Sequence, residues 1–292
     1  MKNINVKWIY LFILSVLWGS SFILIKKSLL GLSPFQLGAL RTIITGIFLF
    51  IAGHKTVRNI EKNQWKWLVL SGFLGSFFPA FLFAIAETEI DSSVASILNS
   101  LTPLSTLLMG LAIFKIGSTK RQMVGVIIGF VGTALLILKG ADLHPKQNYL
   151  FVGFVVLATI MYAANVNIIK SRLHNVKPLA IATGNYVAIF IPAIIVLLSS
   201  GFFNTTTFEN PNFKISILSV TILSFFGTAL AKVMFNNLIQ ISTPVFASSV
   251  TYLMPIVALM WGTLDGERFT WIQGVASLII LVGVFLSHRP KA

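Results

Sequence analysis

Lys232, Asn236 and Gln240 recur at four-residue steps in a run, 215–241, that carries no other charge. On a helix those steps share one face, which makes a polar ridge with an ammonium in it. Lys232 precedes the next turn by roughly eight residues, about 12 Å at 1.5 Å per residue. A charge at that depth in a membrane is costly unless it is paired or faces a wet cavity. Its chemistry is capture of an anionic group. The competing reading is snorkelling to the headgroups, for which the depth is marginal.

Arg41 is the second cation inside an apolar run, seven residues past Pro34 and about 10 Å deep. It serves either as a headgroup anchor or as a further ligand contact. Polar side chains also line up in two uncharged stretches. Ser92, Ser96, Asn99, Pro103, Thr106 and Gly110 step by threes and fours, and so do Pro244, Ser248, Thr251, Pro255, Ala258 and Gly262. Small residues at such spacing let helices pack closely and bond across, which accounts for any single serine. Asn99, Thr251 and Tyr252 are larger than close packing needs and are candidates for a cavity lining.

Other chemistries lack residues. There is no cysteine, so disulfides and thiolate metal sites are excluded. His54, His144, His174 and His288 fall in predicted loops or at a terminus, leaving no buried cluster for a metal or a proton relay. No Walker motif or other nucleotide-binding signature occurs, and no cofactor is expected. Glu87, Glu89 and Asp91 sit together at a predicted outer turn, where solvated charge is the expectation. An intramembrane enzyme would need a serine paired with Lys232 across helices, since no span places a histidine or aspartate beside a serine. A non-transporting assembly partner would need an extramembrane surface that the chain lacks.

The elements that must hold these residues follow from composition. Hydrophobic residues make up 56% and charged residues 10% of 292, against about 25% charged in soluble domains. With a mean hydropathy of +0.88, the chain reads as an all-α polytopic membrane protein whose main partner is the lipid bilayer. Apolar runs predict ten spans, near 8–25, 35–53, 67–86, 93–114, 122–138, 150–169, 179–198, 215–238, 244–263 and 271–287. The first resembles a signal peptide, but its apolar core is too long, so it reads as a retained helix.

The net charge of +14 could suggest nucleic acid, but its distribution points to the bilayer. Even-numbered loops and both termini hold 15 of the 22 lysines and arginines, with Lys232 counted on that side; odd-numbered loops hold 6, and Arg41 lies within a span. By the positive-inside rule both termini are cytoplasmic.

The chain also repeats itself. At an offset of 152, Ser92–Gly110 aligns with Pro244–Gly262, matching Ala95, Ser96, Leu101, Pro103, Leu107 and Gly110 to Ala247, Ser248, Leu253, Pro255, Leu259 and Gly262. At the same offset Gly75 meets Gly227, Phe83 meets Phe235 and Ala80 meets Lys232. At an offset of 144, Trp18 meets Tyr162, Ser21 meets Asn165, Lys26 meets Lys170, Pro34 meets Pro178 and Arg41 meets Asn185. Two five-helix repeats, 1–140 and 148–288, within one membrane domain (1–292) would have opposite orientations, with 139–149 as linker. Trp18, Tyr162, Ser21 and Asn165, in matching places, are candidate walls of a shared pocket.

WGSSFILIKKSL at 18–29, SPFQLGALR at 33–41, TYLMPIVALMWGTLDGE at 251–267 and QGVASLIILVGVFL at 273–286 resemble the ten-helix, EamA-like branch of the drug/metabolite transporter superfamily. The resemblance covers nearly the whole chain, except that Glu267 has no acidic counterpart in the first half, where Lys115-Ile-Gly-Ser follows. It implies a transporter, more often an exporter. The expectation is a secondary carrier of the cytoplasmic (inner) membrane moving a small polar or amphipathic metabolite, an amino acid or related compound, by alternating access. Lys232, Asn236, Tyr252, Thr251, Asn99, Trp18, Tyr162, Ser21, Asn165 and Arg41 are the candidate substrate contacts. Pro79, Pro103 and Pro255 are candidate hinges. Oligomeric state is not legible, because Gly125–Gly129 spacing packs equally well within one chain.

Overall fold

The structure, a computed structural model, describes residues 2–90, 92–141, 149–264 and 271–287. All regular elements among the described residues are helical. α1 (Lys2–Gly19) passes through Ser20 into α2 (Ser21–Ser28). α3 (Pro34–Val57) starts at a capping box: Gln36 N donates to Ser33 Oγ at 3.3 Å, and Ser33 N donates to Gln36 Oε1 at 2.9 Å. Pro34 takes the first turn, where its missing N–H costs nothing.

α4 (Lys62–Gly72) and α5 (Phe78–Ala86) are joined by a π-helical turn at Phe73–Phe77 into one stretch, Lys62–Ala86. After α6 (Ser92–Asn99), α7 (Thr102–Ala112) and α8 (Lys120–Ala141) come α9 (Val152–Arg172), α10 (Pro178–Ser199) and the single turn α11 (Thr205–Phe208). α12 (Phe213–Ile222) leads through a second π-helical stretch, Leu223–Leu230, into α13 (Ala231–Ile241). α14 (Pro244–Ser248), α15 (Val250–Leu264) and α16 (Trp271–Ser287) complete the order.

Six of these stretches are long and apolar enough to cross a bilayer: Val6–Ser28, Pro34–Val57, Lys62–Ala86, Val152–Arg172, Pro178–Ser199 and Phe213–Ile241. Large apolar side chains such as Phe12, Ile51, Ile191 and Leu198 point outward, as a lipid-facing surface requires. This is a multi-pass membrane protein.

The helices pack in matched pairs. α3 lies on α10 and α8 on α16; α1 lies on α15 as α9 lies on α7; α1 and α2 meet α13 and α12 as α9 meets α5 and α4. Backbone meets backbone at Gly283, where a Cβ would fall 2.4 Å from the N of Gly129. Only glycine lets α8 and α16 come so near.

The predicted span 93–114 is two helices. Pro103 sits in the first turn of α7, and the carbonyl of Asn99, at the break, accepts from Thr102 Oγ1 at 2.7 Å. In the second copy the interruption falls at Ser249, while Pro255 lies inside α15. Pro79 is the second residue of α5, just past the first π-helical turn. The predicted loop around Asn204–Asn212 contains α11. The central linker residues 142–148 and Glu267 lie outside the described residues.

Candidate functional site

Two glycines organise the interior. Gly75 and Gly227, aligned in the repeat, each lie in a π-helical stretch. The wider turns of a π helix disturb the regular ladder of carbonyls, and each glycine carbonyl accepts a side-chain donor from far along the chain. Lys232 Nζ donates to Gly75 O at 2.8 Å, and Trp18 Nε1 donates to Gly227 O at 2.9 Å. The missing side chains are needed as well. A Cβ on Gly75 would stand 2.4 Å from the Asn165 carboxamide, and one on Gly227 the same 2.4 Å from Ser21 Oγ.

Between these bonds lies a cavity with about 100 Å³ open to the centres of water-sized molecules. A single water needs roughly 10–15 Å³ by that measure, so the space holds several waters or one small solute. Lys232, Arg41, Trp18, Ser21, Tyr162, Asn165, Asn99 and Thr251 all line it. Trp18 meets Phe235 edge-on at 4.8 Å, and their repeat partners Tyr162 and Phe83 stack at 6.1 Å. Trp18 and Tyr162, repeat partners in the sequence, thus each line the cavity beside a phenylalanine.

Arg41 Nε donates to Thr228 Oγ1 at 3.0 Å, one turn before Lys232 in the chain. Neither cation has an ion pair among the described residues. Lys232 is only 6% exposed, so it faces the cavity rather than snorkelling.

Two candidates lie elsewhere. Asn236 is fully buried against the start of α10, its Nδ2 donating to Pro178 O at 3.3 Å. Tyr252 faces α8, with its ring against Gly129 and its hydroxyl donating to Val126 O at 2.9 Å. Adjacent residues on a helix point about 100° apart, so with Thr251 on the cavity Tyr252 cannot also reach it. The lining includes residues that spacing alone did not single out, among them Tyr186, Ser76, Thr228 and Met254. A tyrosine inside an apolar run was the available signal for Tyr186.

Glu87 corrects another expectation. It is buried, not solvated, and follows the cavity residue Phe83 by one turn. Ser92 Oγ donates to its Oε2 at 2.9 Å, while Oε1 has no partner. Burial pushes its pKa well above the usual carboxylate range; the Ser92 bond and the Arg41 and Lys26 charges oppose this only partly.

Lys170 closes the end of the molecule where α9 meets the α13–α14 turn. Its Nζ donates to the carbonyls of Ile239, Gln240 and Ser242 at 3.1, 3.1 and 2.6 Å. These are the carbonyls a helix C-terminus leaves unpaired.

The EamA-like transporter family profile matches residues 6–138 and again 150–289. This chain belongs to the EamA-like transporter family. The transporter is 25% identical over 290 residues to "Uncharacterized inner membrane transporter YedA" of Escherichia coli (strain K12), covering 96% of this chain and 90% of that one. It is 26% identical over 282 residues to "Probable amino-acid metabolite efflux pump" of Salmonella typhimurium (strain LT2), covering 93% and 91%. "Protein PecM" of Dickeya dadantii (strain 3937) is 25% identical over 291 residues, covering 94% and 91%. One crystal structure superposes with a TM-score of 0.74 over 97% of this transporter and 96% of the other chain, at 16% identity, and so shares its fold.

Proposed function

We propose that the transporter is a secondary carrier of the bacterial cytoplasmic membrane, exporting a small polar or amphipathic metabolite that bears an anionic group. Amino acids and related compounds fall in that class. Its ten spans form two five-helix halves, 1–140 and 148–288, inserted in opposite senses with both termini in the cytoplasm. The double profile match and the matched helix pairs support this division. Alternating access arises as the halves rock about the cavity between them, with bending at Pro79, Pro103 and Pro255. Lys232, Arg41, Asn99, Thr251, Trp18, Tyr162, Ser21 and Asn165 contact the solute. The relatives' names, an inner membrane transporter and an efflux pump, support location and direction.

The observation that carries this reading is a buried Lys232, without an ion pair among the described residues, on a cavity lined by residues from both 1–140 and 148–288. A buried cation without a protein anion is stabilised by an anion that arrives. Lys232→Met, purified into liposomes, should lose counterflow while still inserting and folding. Unchanged flux would remove Lys232 from the mechanism.

A further inference from the structure

The cavity has two cationic side chains and, among the described residues, no carboxylate in its lining. Arg41 is anchored through Nε to Thr228, and no hydrogen bond or ion pair is made by its two Nη groups. The forked end of the guanidinium, the part that matches a carboxylate in two parallel bonds, is therefore uncommitted. Lys232 uses one of its three N–H donors on Gly75 O. Thr228 and Lys232 are four residues apart, so the fork of Arg41, which reaches over from α3, is held against the turn that precedes the ammonium. Glu87, the one buried carboxylate among the described residues, is not in the lining and already receives Ser92.

Among the described residues, nothing anionic lines the cavity to receive a positively charged group on the solute. A zwitterion would bring its ammonium into a space that already holds two uncompensated cations. A solute with two carboxylates gives each cation its own partner, while Trp18, Phe22, Phe83, Tyr162, Tyr186 and Phe235 surround its apolar body. We infer that the cavity selects organic dianions, of the dicarboxylate type, over zwitterions of equal size. This rests on the carrier reading above and narrows its solute class.

Glutarate, glutamate and glutamine share a five-carbon chain and carry two net negative charges, one and none. Counterflow of each, labelled, into liposomes containing the full-length transporter should rank in that order, with at least about tenfold between the ends, because like charges brought together are strongly disfavoured. Arg41→Gln should flatten the ranking. Arg41→Lys, which keeps the charge and loses the fork, should preserve the order at lower rate; a purely structural Arg41 would change rate without changing order. Glutamine moving as fast as glutarate would overturn the dianion inference and leave the carrier standing. No exchange of any of the three, or of a mixed amino-acid load, would overturn the carrier reading itself.

Discussion

Lys232 and Gly75, 157 positions apart, are joined by a 2.8 Å hydrogen bond from the ammonium to a backbone carbonyl inside a π-helical turn. Its counterpart joins Trp18 to Gly227 in the other π-helical stretch. Position 80, aligned with Lys232, is alanine, so the two arms are alike in backbone and unlike in charge. The cation on one side only gives an otherwise repeated framework a chemical direction.

The first expectation concerns the space that Gly75 leaves. Gly75→Ala would press a methyl group into the Asn165 carboxamide, which is already held by Ser71 Oγ at 2.6 Å. Overpacking of this kind costs about 1–3 kcal/mol, read as a lower melting midpoint in detergent. Adding Asn165→Ala should recover part of the loss. A double variant no more stable than Gly75→Ala would show that this contact is not the cause.

A second expectation follows from Glu87. Its folded-state pKa is raised by burial, so the folded protein holds a proton that the unfolded chain releases. The stability this contributes is fully present below the ordinary glutamate value of 4.5 and is lost as pH rises through the higher folded value. Melting midpoints measured against pH should fall over that window in the parent protein. The decline should be smaller in Glu87→Gln, which cannot ionise. Parallel curves for the two proteins would mean that Glu87 is ionised in the fold.

The proposed topology can be read directly, because the chain contains no cysteine. Single cysteines introduced at His54 and at Glu89 should react with a membrane-impermeant maleimide from opposite faces: His54→Cys from the cytoplasmic side, Glu89→Cys from the outside. Labelling of both from one face would refute a membrane crossing by Lys62–Ala86, and with it the proposed topology.

Much of this site could be anticipated because burial of charge in a membrane is so restrictive. Lys232 and Arg41 were visible as the charges within apolar runs, and Trp18, Tyr162, Ser21 and Asn165 as repeat partners in matching places. Spacing could not settle how each helix is rotated. Asn236 shares a ridge with Lys232, yet one turn further on the neighbouring surface is α10, and its amide meets Pro178. Glu87 looked solvated because its turn is acidic, yet in the fold its carboxyl is buried and receives Ser92 Oγ. The π-helical stretches at Phe73–Phe77 and Leu223–Leu230 left no local signature beyond the aligned glycines, since α and π turns differ by one residue and share the same apolar composition.

That one-residue difference has a mechanical consequence. Tightening a π turn into an α turn takes up a single residue and so swivels everything beyond it by about 100° at 3.6 residues per turn. Within Leu223–Leu230 such a change would sweep the Lys232 ammonium off Gly75 and around the helix axis with the hydrogen-bonded rod still whole. For the carrier proposed above, a surplus peptide unit in Leu223–Leu230 would let Lys232 be turned without any helix being broken.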